Sequence, residues 1–403
     1  MKKLLAIIGL VVITVGAAWF FFRNGALDPA LNNPQSLPFG SGEDINIPAT
    51  TENQQPATSN NNFKENVSGE SKILALYNEP VAGFVSFLRG TNTVVRFVDR
   101  ATGHIFDLTL PTASATSSLE KVRVTNNTMP KIYEAHFRSD GSMVLLRSLI
   151  DDSDSIENTA LILTPPKSAS STELYAIKIN KLAGDIDSVL VGSGNALYYV
   201  SRNTTSIVSS TFTGTDSKTI LKTGLRDWRL FRLGSAVAVY PRASATAVGH
   251  AYSLGNGLSK LVGDLRGLTA IGNSNGNRIL YSYFDGGVKL FIKDLKKNIS
   301  SEILPASLAE KCVWSAKKES VFFCGTPTIS SDSNEPDSWY LGRTHFSDYV
   351  WKFDAASEIS QLVSEPKAEF NLDLDVYEPK LTPNEDYLIF TNKRDLSLWA
   401  VKL

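Results

Sequence analysis

An all-β fold is predicted for residues 72–403 by three observations. Short runs of alternating or β-branched apolar residues recur through this stretch, turns rich in Gly, Asn, Asp or Ser separate them every 8 to 12 residues or so, and amphipathic segments of helical length are scarce. Strands are expected at 73–76, 82–88, 94–99, 143–148, 196–201, 236–240, 278–283, 320–324 and 387–391.

The turns align into a repeat. Val191-Gly-Ser-Gly-Asn precedes Ala196-Leu-Tyr-Tyr-Val, Phe231-Arg-Leu-Gly precedes Ala236-Val-Ala-Val-Tyr, and Ile271-Gly-Asn-Ser-Asn precedes Arg278-Ile-Leu-Tyr-Ser. Trp314, Leu381 and, earlier, Phe137 open equivalent units. From Phe137 the successive starts lie 54, 40, 40, 43 and 67 residues apart, and the central values match one four-stranded propeller blade of about 40 to 45 residues. Longer intervals mark insertions. Third strands are expected at 94–99, from Val288 and from Tyr349, each ending in a polar turn. The last run, 396–403, matches a third strand with no sequence left for a fourth, and the isolated strand at 72–77 is the expected donor that closes the ring and removes its open edge. Seven blades fit best, with six or eight compatible with the spacing.

His136-Phe-Arg-Ser-Asp-Gly-Ser-Met-Val-Leu and Lys380-Leu-Thr-Pro-Asn-Glu-Asp-Tyr-Leu-Ile-Phe resemble the "SPDG" blade repeat of WD40-like propellers of the TolB and dipeptidyl-peptidase N-terminal type. The resemblance spans residues 72–403 and is degenerate. Among the aligned turns the Asp-Gly pair is intact only at Asp140-Gly141, and the Gly-His and Trp-Asp signatures of eukaryotic WD40 repeats are missing from the expected places. Peptidases that share such propellers carry a separate α/β-hydrolase domain with its serine in a Gly-x-Ser-x-Gly elbow. That string occurs here once, at Gly272-Asn-Ser274-Asn-Gly276, but it precedes a strand rather than a helix, and no residues remain for a hydrolase domain; Ser274 reads as a turn residue.

Ahead of the propeller, Lys2 and Lys3 are followed by 19 uncharged residues, 4–22, closed by Arg23. As a helix this run spans roughly 28 Å, enough to cross the hydrocarbon core. One transmembrane signal-anchor over 1–23 is the favoured reading, and a signal peptide cleaved after Ala17 the rival. Arg23 is the only basic residue between Lys3 and Lys64, so the positive-inside asymmetry puts the N-terminus in the cytoplasm and the propeller outside, in the periplasm or at the cell surface. Residues 24–71, rich in Asn, Pro, Ser and Thr, read as a disordered linker.

Charge dictates no partner: 40 basic residues balance 41 acidic ones without clustering, which disfavours nucleic-acid binding. The four histidines, His104, His136, His250 and His345, fall in different units, and neither a metal site nor a cofactor is expected. The acidic runs 151–154, 332–337 and 373–375 lack the Asp-x-Asp-x-Asp-Gly calcium loop and read as solvated loops. Glu365, Glu369, Asp373 and Asp375 would serve a glycosidase only if brought together in space. Cys312 and Cys324 flank a hairpin centred near Lys318 and should face each other, as a disulfide outside the membrane or as two buried thiols if the register slips.

Two insertions mark the candidate binding surface. One, 325–347, carries Trp339, Tyr340, Arg343, His345 and Phe346; the other, 150–172, corresponds to it in the second unit unless 160–163 is itself a strand. Aromatic and Arg side chains on such a loop suit recognition of an envelope protein or glycan, whereas a loop folded back on its blade carries no ligand. The expected function is therefore a membrane-anchored, extracytoplasmic binding or assembly module and not an enzyme. A propeller glycosidase or lyase, or a purely structural surface protein, is the alternative.

Overall fold

The structure, a computed structural model, describes residues 72–403 apart from 112–118, 151–154, 168–172, 183, 185, 226 and 329–333. The expected anchor and linker lie outside the described residues. Among those described, no helix is long and apolar enough to cross a membrane.

Seven four-stranded antiparallel sheets make up a β-propeller. Blade 1 comprises Val81–Arg89, Asn92–Asp99, Ile105–Thr109 and Lys121–Arg123, innermost strand first. The first strands of blades 2 to 7 are Ile132–Phe137, Ile186–Val191, Trp228–Leu233, Thr269–Gly272, Cys312–Trp314 and Val376–Leu381, and they follow one another around the axis. Blade 7 takes its fourth strand from the start of the propeller. Ile73–Tyr77 runs antiparallel to Leu398–Lys402, with Ile73 opposite Val401 and Ala75 opposite Trp399.

The apolar core is divided into seams between successive blades. Val85, Val98 and Ile105 of blade 1 meet Ile132, Phe137 and Val144 of blade 2, while Leu76, Phe84 and Phe97 meet Tyr387, Ile389 and Leu398 across the closing seam. A second strand has a seam on each face. Val321–Pro327 and Tyr387–Asn392 are accordingly buried almost throughout, and they read as continuous apolar runs instead of alternating ones. Polar side chains fasten the seams as well. Arg96 grips Asp107 through two hydrogen bonds of 2.7 and 2.8 Å and donates a third, of 2.7 Å, to the Gly141 carbonyl of blade 2. Arg147 reaches the Ile186 carbonyl of blade 3, and Lys380 the Phe84 carbonyl of blade 1.

One strand assignment is corrected and one open alternative is decided. Residues 94–99 belong to the second strand of blade 1, not a third. The polar turn after Asp99, whose Oδ1 accepts from Thr102 N and Oγ1, resembles a third-strand exit but here joins strands two and three. In blade 2, Ile156–Thr164 is a strand paired with Met143–Leu149, so 150–172 is not one projecting insertion.

Gly272 shows why the elbow-like string is structural. A Cβ at this position would lie 2.4 Å from the Arg232 carbonyl oxygen of blade 4, so only glycine lets the inner strands of blades 4 and 5 approach this closely. Gly272→Ala should cost about 1–3 kcal/mol by overpacking. Ser274→Ala, at an exposed turn position, should stay within about 0.5 kcal/mol. Chemical denaturation of the two variants checks the contrast.

Candidate functional site

The described part of the blade 6 insertion packs inward. Its short helix, Asp337–Tyr340, folds inward, leaving Trp339 wholly buried and Phe346 nearly so. The reason is a charged cluster beneath it. Lys311, at the end of the 3₁₀ turn Ala309–Lys311, is completely buried, lies 2.7 Å from Asp348 Oδ2 and contacts Asp375 Oδ1. Trp339 Nε1 donates to both Asp375 oxygens at 3.1 Å, and the Phe346 amide donates to Asp375 Oδ2 at 3.0 Å. The Lys311 ammonium also sits about 5 Å from both aromatic rings (5.0 and 4.9 Å). Trp339 and Phe346 therefore cannot be surface anchors, because their indole and backbone donors satisfy a buried carboxylate. Tyr340 turns toward the ring axis, and Arg343 and His345 remain exposed. Cys312 and Cys324 are opposed in the hairpin and joined as a disulfide, with Cα atoms 4.0 Å apart.

The inner strands surround a central cavity of about 600 Å³ whose walls come from blades 2 to 7. A smaller recess of about 270 Å³ adjoins it and brings in blade 1 through Val81, Gly83 and Arg100. Two positional rules supply the polar lining. The residue after the buried residue at the head of a first strand faces the cavity: Tyr133 after Ile132, Asp187 after Ile186, Arg229 after Trp228 and Tyr377 after Val376. In four blades the residue just past the second strand is basic and faces the cavity or its recess: Arg100 after Asn92–Asp99, Arg202 after Ala196–Ser201, Arg242 after Ala236–Pro241 and Lys393 after Tyr387–Asn392.

Glu378 lines both the cavity and the recess, and the other three acidic groups of the cavity are already engaged. Glu134 accepts from Arg147 Nη1 at 2.5 Å and lies 3.2 Å from His136 Nε2; Asp187 accepts from Arg202 at 2.8 Å. Glu310 accepts from two phenols, Tyr240 at 2.5 Å and Tyr340 at 2.9 Å. Arg100, Arg229, Arg242 and Lys393 have no ion-pair partner among the described residues. Arg242 instead lies over the Tyr340 ring, and Lys393 over the rings of Trp339 and Tyr377.

Titration follows from these contacts. Burial alone would raise the Glu134 carboxyl, but the hydrogen bonds and charges of His136 and Arg147 outweigh it and hold the group at about 2. Burial, reinforced by the Glu310 charge, lifts the Tyr240 and Tyr340 hydroxyls well above the usual phenol range. Burial lowers Lys393. Since the folded-state value of Glu134 is depressed, its contribution to stability is complete above the ordinary carboxylate range and disappears as pH falls through about 2. The gap in melting temperature between wild type and Glu134→Gln should accordingly be constant near neutrality and close between about pH 4.5 and 2.

The remaining candidates are dispersed. His104 contacts Arg123 and Thr128, His250 accepts from the Asp264 amide, and His345 lies on the insertion. Of the four carboxylates weighed for acid and base roles, Asp375 is locked with Lys311, Asp373 pairs with Lys367 at 2.7 Å, and Glu369 accepts from the Glu365 amide at 2.7 Å. No set of three metal-ligating side chains occurs among the described residues.

No protein-family model matches the chain, and no curated protein matches its sequence. Solved structures similar to it include virginiamycin B lyase from Staphylococcus aureus, 11% identical over 82% of this chain and 98% of that one, with a TM-score of 0.48. The β-propeller domain of the Trilobed protease from Pyrococcus furiosus is 10% identical over 80% of this chain and 95% of that one, with a TM-score of 0.46. These likenesses are remote, and no residue of the cavity is assigned from them.

Proposed function

We propose that this protein is a binding module whose central cavity receives an anionic ligand, a carboxylate- or phosphate-bearing segment of an envelope protein or glycan, and that residues 1–23 tether it to the membrane with the propeller outside. The observation that carries the ligand class is the set of basic residues at one structural position in four blades, Arg100, Arg202, Arg242 and Lys393, three of them without an ion-pair partner among the described residues. Positive groups held in a concave, partly dry wall attract anions more strongly than the same groups scattered on a surface. Binding is favoured over catalysis because the donors of Glu134 hold its carboxyl well below the ordinary carboxylate range, and burial pushes the Tyr240 and Tyr340 hydroxyls further above the phenol range, away from neutrality. A general acid or base works best with its pKa near the working pH. The degenerate repeat fits a TolB-like propeller, and a disulfide at Cys312–Cys324 suits an oxidising compartment outside the cytoplasm.

The test is equilibrium binding of the detergent-solubilised chain to defined acidic and neutral oligosaccharides and peptides. Wild type should retain acidic probes in a salt-sensitive manner, and Arg229→Ala with Arg242→Ala should weaken them about tenfold or more, as expected when two charge-assisted contacts are lost. Equal retention by both proteins overturns the proposal. Placement is checked separately: the protein should resist carbonate extraction, and protease added to cells stripped of any outer barrier should degrade the propeller.

A further inference from the structure

At the opposite end of the strands from the basic cavity mouth, a groove of about 600 Å³ opens between blades 6 and 7. It is lined by the turns joining first and second strands, at Ser315, Lys317 and Lys318 in blade 6 and at Asn384 and Glu385 in blade 7. Five lysines face it, Lys72, Lys317, Lys318, Lys352 and Lys402, in a chain whose net charge is only −1. Glu385 is its one side-chain carboxylate, and that group is engaged, accepting from Ser315 Oγ at 2.6 Å and from the amides of Ala316 and Lys317 at 2.7 and 3.0 Å. The floor is apolar. Val321 and Phe323 are buried at its base, and Leu362 and Val363 lie half-buried on its wall. That wall belongs to Ile359–Ser364, the outermost strand of blade 6, which pairs on one side with Asp348–Asp354 and has no strand on the other among the described residues.

We infer that this groove binds an extended acidic polypeptide segment with alternating apolar side chains. The segment would lie along the groove against Leu362 and Val363, placing carboxylates on the lysines and aliphatic groups on the Phe323 floor. Two features select this occupant. The lysines answer carboxylates, and the apolar floor answers an aliphatic face that a polysaccharide or a run of phosphates lacks. A flat lipid surface fits less well, because Lys352 and Lys402 are half-buried inside a concavity that a plane does not enter.

The experiment is fluorescence anisotropy of the full chain in detergent with a labelled ten-residue peptide alternating Glu with Ile or Val. Measured in the Arg229→Ala, Arg242→Ala background, where the cavity no longer competes for acidic peptides, binding should weaken with salt and fall about tenfold or more when Lys318→Glu and Lys352→Glu are added, which separates this site from the one proposed above. Lys318→Gln with an unaltered melting temperature should show an intermediate loss and serves as the control for folding. Loss of all peptide binding in that background, equal affinity for a polyglutamate peptide without aliphatic residues, or displacement of the peptide by vesicles of anionic lipid at matched charge would each overturn the inference.

Discussion

Removing residues 72–77 should lower the unfolding free energy by about 5 kcal/mol or more. The deleted strand carries two buried side chains, Ile73 and Leu76, each worth about 1.5–3 kcal/mol of transfer free energy, and its loss uncovers Leu398 and Val401 on the strand beside it. The backbone ladder along Leu398–Lys402 would lose its partner and become an exposed edge. Thermal and denaturant unfolding of the truncated chain give the number. Leu76→Ala alone should recover roughly half of it, at about 2–3 kcal/mol, because the ladder then remains. An unchanged midpoint in the truncated protein would mean that the ring does not depend on this strand for closure.

The second large effect is expected at Lys311. Its ammonium is the sole cation contacting Asp348 and Asp375 among the described residues, and all three side chains are inaccessible to solvent. Lys311→Met leaves two buried carboxylates facing each other and should cost about 3–5 kcal/mol. The pH dependence identifies the cause. Burial raises the Asp348 carboxyl above the ordinary range, and the neighbouring Asp375 charge adds to this, while Lys311 opposes both. A folded-state value above the unfolded one favours the native state at low pH, and that advantage is lost as pH rises through the folded value. Without Lys311 the carboxyl should rise further, so the deficit of Lys311→Met should be largest near pH 8 and shrink toward pH 5. Adding Asp348→Asn should restore part of the stability at pH 8. A deficit independent of pH would point to lost packing instead of uncompensated charge.

Much of the fold was legible in the chain because the first turn of each blade is chemically distinctive. Turns such as Gly192-Ser-Gly194 and Asp140-Gly141 sit directly before second strands whose two covered faces leave a continuous apolar run. Apart from the closing strand at 72–77, the fourth strands are not legible. Lys121–Arg123 and Ile299–Glu302 are short and wholly exposed, so no hydrophobic period marks them.

The candidate site divides in the same way. Arg100, Arg202, Arg242 and Lys393 each stand at or just beyond the end of a strand recognisable from its residues, and superposing the repeats would have aligned them as a basic position. The inward-facing residues of the first strands carried a weaker signal, since a single buried residue such as Trp228 precedes Arg229 without any run to flag it. The sequence leaves Trp339 and Phe346 open between surface anchors and a loop folded back on its blade, because the same aromatic residues suit a recognition loop and a buried plug. What decides between them is contact with Lys311 and Asp375, which are remote in sequence from each other and meet only in the folded ring.

Binding without turnover is tested most directly by mass analysis of an acidic oligosaccharide recovered after prolonged incubation with a stoichiometric amount of the full chain. The expected result is a ligand returned with its mass unchanged, held by wild type and released by the Arg229→Ala, Arg242→Ala protein. A shortened chain, or a product altered by hydrolysis or elimination at a rate that the double variant abolishes, would contradict the proposal and make the cavity an active site.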